Sequence, residues 1–145
     1  MAAVVRGEFR FTQPSSPQSL NGIGPFAAAA VLIGAEAISR AASLHIGHAL
    51  PAVRREGASY AAGRPTTPAF TAAWILAAAI GCLTVWPALS FFAVVLASVA
   101  SALAAFGIAA LALRQIGGQT GDVAGAAQQA CLMAFLAVAA GFTHV

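Results

Sequence analysis

The chain has 145 residues, of which 60% are hydrophobic and only 8% are charged, with a formal net charge of +3. A soluble domain carries roughly a quarter charged residues, so this composition cannot cover a soluble surface. No basic run is interleaved with aromatics, which removes nucleic-acid binding from the reading.

What remains is an all-α integral membrane protein of about four transmembrane helices with two polar cytoplasmic loops. Its length suits one domain. Alanine and glycine dominate the apolar stretches, and small residues let helices approach closely in lipid. Residues 1–21 read as a loose N-terminal tail with a Pro14-Ser15-Ser16-Pro17 turn cluster. Residues 22–145 read as the helical membrane part. A first span is expected from about Pro25 to Leu50, with Pro25 in a first turn and Pro51 as the stop. It carries Glu36 and Arg40, four residues apart and therefore on one face. Charges inside a span are costly and face protein or water. Arg40 is thus either half of a structural ion pair near the cytoplasmic end or the lining of a polar cavity that faces a phosphate. His45 and His48 lack an acidic or thiol partner at ligand spacing and read as interfacial.

The loop of residues 52–67 is the most positive in the chain, with Arg54, Arg55 and Arg64, and is placed in the cytoplasm by that charge. Its arginines set topology or meet an anionic substrate or headgroup. A second span is expected over Ala69 to Trp86. Pro87 then opens a third, Ala88 to Leu113, and Arg114 returns the chain to the cytoplasm. A fourth runs from near Asp122 to about Phe142. Cys82 and Cys131 lie inside apolar segments without Cys-x-x-Cys spacing and read as packing residues.

Between the last two spans stands Arg114-Gln115-Ile116-Gly117-Gly118-Gln119-Thr120-Gly121-Asp122. No charged residue lies between Pro65 and Leu113 or after Asp122. Gly117, Gly118 and Gly121 can take backbone angles closed to other residues, and successive amides in such a loop can converge on an anion. A helix that starts immediately afterwards adds the positive end of its dipole. Thr120 and Asp122 fit either helix capping or contact with phosphate and magnesium. The loop is not a Walker A sequence, because it lacks the lysine and the spacing.

The run from Arg114 to Ala126 resembles the C-terminal signature of the cobalamin synthase family, a Gly-Gly-x-Thr-Gly-Asp stretch. The matching positions are Gly117, Gly118, Thr120, Gly121, Asp122, Gly125 and Ala126. Ser39-Arg40 resembles the family's Ser-Arg pair in a membrane segment, and Arg54 to Gly57 is similar to its arginine-rich loop. The resemblance implies transfer of adenosylcobinamide phosphate from adenosylcobinamide-GDP to α-ribazole or its 5′-phosphate, with release of GMP. It also implies a Mg2+ requirement and a multi-pass place in the bacterial inner membrane. On that reading Asp122 contacts magnesium or orients the nucleophile. The amides of Gly117, Gly118, Thr120 and Gly121 hold phosphate oxygens, and Arg40, Arg54 and Arg114 offset phosphate charge.

The chain departs from the family in one chemical respect. The family's aspartate-rich motif, His-Leu-Asp-Gly-Leu-Ala-Asp, has no counterpart here, and Asp122 is the only aspartate. The expectation is therefore a polypeptide that is inactive alone, or that completes its site with a missing N-terminal half or in a homo-oligomer. The alternative is an inactive fragment or a non-enzymatic small membrane protein. A transporter subunit is a further reading, which inverted repeats would support; none is found.

Overall fold

The computed structural model describes residues 24–53, 56, 60–61 and 63–142. The predicted tail and Arg54 lie outside the described residues. Four helices follow one another: α1 Pro25–Ala49, α2 Thr67–Thr84, α3 Phe91–Ile116 and α4 Gly121–Gly141. Each is long and apolar enough to cross a membrane, at roughly twenty residues per crossing.

The first span falls where the prolines placed it. Pro25 sits in the first turn, and Leu50 turns extended at φ −103° and ψ 144°, as a residue before proline must. Helix α2 begins two residues earlier than expected, because Thr66 caps it by accepting from the Ala69 amide at 3.4 Å and Pro68 fits its first turn. The expectation that Pro87 opens the third span is corrected. Pro87 stays in the turn after α2, and Ser90 starts α3 by accepting from the Ala93 amide at 3.1 Å. The far end of α3 also moves. The helix runs three residues past Leu113, until Gly117 adopts the left-handed conformation at φ 74°. Arg114 therefore lies in the last helical turn, where a cation complements the helix dipole, and not in the loop.

Helix α1 is the hub and touches α2, α3 and α4. Its crossing with α2 is close, because Gly34 faces Val85, Thr84 and the Gly81 backbone. Helices α3 and α4 make the most extensive pair, and their sequences show why. Along α3 the buried residues include Ala93, Ala97, Ser101, Ala105 and Ala109, each four apart. Along α4 they are Ala127, Cys131, Phe135 and Ala139, again four apart. Two such stripes of mostly small side chains bring the backbones together. The Ser101 hydroxyl spans the seam by donating to the Cys131 carbonyl at 3.1 Å. Phe135 is the largest fully buried side chain and fills the space that the alanines of α1 and α3 leave open. Helix α2 is peripheral, with only Ala77 and Gly81 buried.

Up-and-down connection puts the α1–α2 and α3–α4 links on one face and the short 85–90 turn on the other. Ile46, Leu50, Ala109, Ala112 and Ala127 form a small apolar cluster directly beneath the first face.

Candidate functional site

The two links on that face are bonded backbone to backbone. Ala52 and Gln119 form an isolated parallel bridge. The Gln119 amide donates to the Pro51 carbonyl at 2.8 Å, and the Val53 amide donates to the Gln119 carbonyl at 3.0 Å. Gly118 makes the approach possible, since a methyl group there would run into the Pro51 carbonyl oxygen. The loop's first two glycines thus divide their work. Gly117 ends α3 through its positive φ, and Gly118 admits the neighbouring link.

This assignment uses up part of the expected anion cradle. The Gly117 amide donates to the Leu113 carbonyl at 3.2 Å, and the Gln119 amide is held by Pro51. Gly117 supplies a turn rather than a donor. Thr120 caps α4, accepting from the Val123 amide at 3.4 Å. Of the first-turn amides, which have no partner inside a helix, those of Gly121 and Asp122 remain. Asp122 is exposed in that first turn. The capping role open to both Thr120 and Asp122 therefore belongs to Thr120, and the Asp122 carboxylate faces outward beside the free amides.

A second clasp holds the same face together. His48 donates through Nδ1 to the Pro65 carbonyl at 3.1 Å, and its ring stacks on Phe70 at 4.8 Å between centroids. Arg64 Nε donates to the His48 carbonyl at 2.7 Å. His45 packs its ring against Phe106 at 4.3 Å. The His48 and Arg64 contacts fix the start of α2 against the end of α1, and the His45 ring ties α1 to α3.

Arg114, Gly117, Gly118, Thr120, Gly121 and Asp122 are together by sequence. Arg40 is elsewhere. It lies nine residues before the end of α1, about 14 Å below the face at 1.5 Å per residue. There it meets Glu36, with Nη2 at 3.4 Å from Oε2, as the four-residue spacing predicted. That Oε2 is buried and accepts no hydrogen bond, so the guanidinium charge alone answers it. The pair lies well inside the helix, not near its end at the loop face. Arg40 borders a cleft of about 400 Å3 between α1 and α2 that is walled by alanine, leucine and isoleucine, with Ser43 and Gln128 as its other polar members. Sequence reasoning missed Gln119 and the Pro51–Val53 segment, and it named Arg64 as one of the loop's arginines without its bond to the His48 carbonyl. Gln119 stood in the variable position of the glycine signature, and nothing in an apolar Pro51-Ala52-Val53 announces a partner 66 residues away.

The described residues include no group of three or more His, Cys, Asp and Glu that could hold a metal. Among the described residues the loop face carries two carboxylates, Glu56 in the α1–α2 link and Asp122, and only Asp122 stands at the glycine loop. One carboxylate is the least that a magnesium site of the phosphate-binding kind uses, the remaining oxygens coming from water and substrate.

The fold and this face define a multi-pass helical membrane protein with two polar links locked together at one surface. The sequence pattern of the cobalamin-5-phosphate synthase family matches residues 14–140, and the chain belongs to that family. Among its relatives, the adenosylcobinamide-GDP ribazoletransferase of Azorhizobium caulinodans is 43% identical over 117 residues, which are 81% of this chain and 44% of that protein. The enzyme of the same name from Allorhizobium ampelinum is 37% identical over 118 residues, 81% of this chain and 46% of that protein. That of Brucella anthropi is 40% identical over 110 residues, 76% and 42%. The chain spans about half the length of the curated relatives it matches. No solved structure matches it.

Proposed function

We propose that the chain carries the glycine-loop part of an adenosylcobinamide-GDP ribazoletransferase. The reaction is attack by a hydroxyl oxygen of α-ribazole, or of its 5′-phosphate, on the phosphorus attached to adenosylcobinamide. A new P–O bond forms to the ribazole. The pyrophosphate P–O bond breaks, GMP departs with that oxygen, and the hydroxyl proton is lost. Such a transfer needs alignment and charge neutralisation more than covalent help.

The observation that supports this reading most is the locked loop. The Ala52–Gln119 bridge sets the start of α4, so the Gly121 and Asp122 amides and the Asp122 carboxylate are held in fixed register at the face. The free amides suit phosphate oxygens. Asp122 is the residue that would hold a magnesium ion, which when bound supplies charge neutralisation to the pyrophosphate. Arg114 at the end of α3 and Arg54 in the α1–α2 link are the proposed further positive charges. Arg40 sits too deep to join them without movement, and its proposed part is to pair with Glu36 within the span. The place of action is the bacterial inner membrane. The single aspartate keeps open the expectation that residues beyond this chain complete the site.

Membranes containing the chain, its Asp122→Asn variant or neither are to be assayed with adenosylcobinamide-GDP, α-ribazole and magnesium. Product from the chain, reduced about 100-fold or more by the variant, is the expected result if the site is complete. Product only when the N-terminal half of a relative is co-expressed, and still dependent on Asp122, supports a divided site. Product indifferent to the variant removes Asp122 from the reaction. No product under either condition overturns the reading.

A further inference from the structure

Beside the glycine loop lies a recess of about 200 Å3, bordered by Pro51, Ala52, Tyr60, Arg64 and Gln119. Asp122, Gly121 and Thr120 are not among its walls. Gln119 is only 7% exposed and forms one polar wall of the recess. The second polar wall is Arg64. Its Nε is spent on the His48 carbonyl at 2.7 Å, which orients the guanidinium and leaves both Nη groups for a ligand. Tyr60 adds a hydroxyl from the same link. Among the described residues no carboxylate borders the recess, and the one formal charge on its wall is positive.

Two separate links thus bring a guanidinium, a carboxamide and a phenol to one small cavity. A planar carboxylate presents two oxygens, whereas a phosphate ester presents up to three in a tetrahedral array, and a guanidinium fork recognises it well. We propose that this recess binds a phosphate ester. Resting on the transferase reading, the ester is the 5′-phosphate of the ribazole acceptor, held as a spectator. The reacting pyrophosphate needs the carboxylate of Asp122, which the recess does not include, while a spectator phosphate needs only donors. Gln119 then joins the two functions, since its backbone locks the loop and its side chain reads the acceptor.

The same chemistry is carried by phospholipid headgroups at this face, and the test separates the two sources. The full chain in a maltoside detergent is titrated calorimetrically with α-ribazole, α-ribazole 5′-phosphate, inorganic phosphate and a short-chain phosphatidylglycerol. The expected result is α-ribazole 5′-phosphate binding at least about tenfold tighter than α-ribazole, competed by inorganic phosphate. Arg64→Gln and Gln119→Glu should each abolish the difference, the second by placing a like charge in the same shape. Ser90→Ala, on the opposite face, should keep it. Equal binding of both ribazole forms overturns the proposal. Binding of the lipid alone, lost in both variants, overturns the assignment to the acceptor and makes the recess a headgroup site. Because binding is read without turnover, a chain that binds but makes no product keeps the recess and sinks only the complete active site.

Discussion

The two faces of this bundle each carry a glycine that permits a close approach, but the two approaches differ in kind. On the turn face, Gly34 of α1 meets side chains, the Val85 methyl and the Thr84 hydroxyl. On the loop face, Gly118 meets backbone, the Pro51 carbonyl. Among the described residues the turn face is uncharged, and its 85–90 turn is anchored by the fully buried Val85 and reverses the chain. The loop face holds two polar links that would otherwise be independent, and it spends backbone hydrogen bonds to join them. One face is closed by packing and the other by main-chain geometry. Side chains can repack around an added methyl, whereas a bridged carbonyl can move only by breaking its own bonds.

The largest expected effect follows from that difference. Gly118→Ala should break both hydrogen bonds of the Ala52–Gln119 bridge and cost about 2–4 kcal/mol. Gly34→Ala should cost about 1–2 kcal/mol, because Val85 and Thr84 can adjust. Thermal unfolding of the two variants in one detergent gives the ranking. Equal losses would mean that the bridge contributes nothing beyond packing. Gly118→Ala should also weaken α-ribazole 5′-phosphate binding, and Gly34→Ala should not.

A middle effect tests the scaffold beneath both faces. Ser101→Leu forces a large side chain between the four-residue stripes of α3 and α4, where Ser101 is fully buried. Overpacking of this kind costs about 1–3 kcal/mol. Ser101→Ala, which loses only the bond to the Cys131 carbonyl, should cost about 0.5–1 kcal/mol, in the range found for polar contacts between membrane helices. The order of the two by thermal unfolding shows whether shape or hydrogen bonding sets the seam.

The spans were legible because charge is absent from so much of the chain, and the start of α1 was legible because Pro25 and Pro51 bracket it. Boundaries slipped where two signals competed. Pro87 looked like a helix opener, yet Ser90 three residues later offers a hydroxyl that satisfies a first-turn amide, and the cap won. Arg114 looked like the start of a loop because it is charged, yet the first residue able to adopt the left-handed angle that ends the helix is Gly117. The glycine signature was readable as a string, and its family followed from it. Its division of labour was not. Whether an amide faces a ligand or a neighbouring carbonyl depends on what the fold brings alongside, and Pro51–Val53 is distant in sequence and plain in composition. Arg40 and Arg114 are alike as letters; helix length separates them by depth.

The smallest expected effect is also the sharpest comparison, because Ser90 and Thr120 do the same structural job on opposite faces. Each caps a helix by accepting from the amide three residues on, at 3.1 and 3.4 Å. Replacing either by alanine should therefore cost the same, about 1 kcal/mol, and unfolding measurements should not tell the two variants apart. Their ligand behaviour should differ. Without the Thr120 hydroxyl the first turn of α4 frays, and the Gly121 and Asp122 amides lose their fixed direction. Thr120→Ala should then weaken phosphate-dependent binding or turnover several-fold, while Ser90→Ala leaves both intact. Thr120→Ser keeps the capping oxygen and should restore stability and binding together. If Thr120→Ala lowers stability yet leaves every ligand measurement unchanged, the start of α4 is a helix end like the start of α3, and the chemistry of this face must be sought in the recess instead.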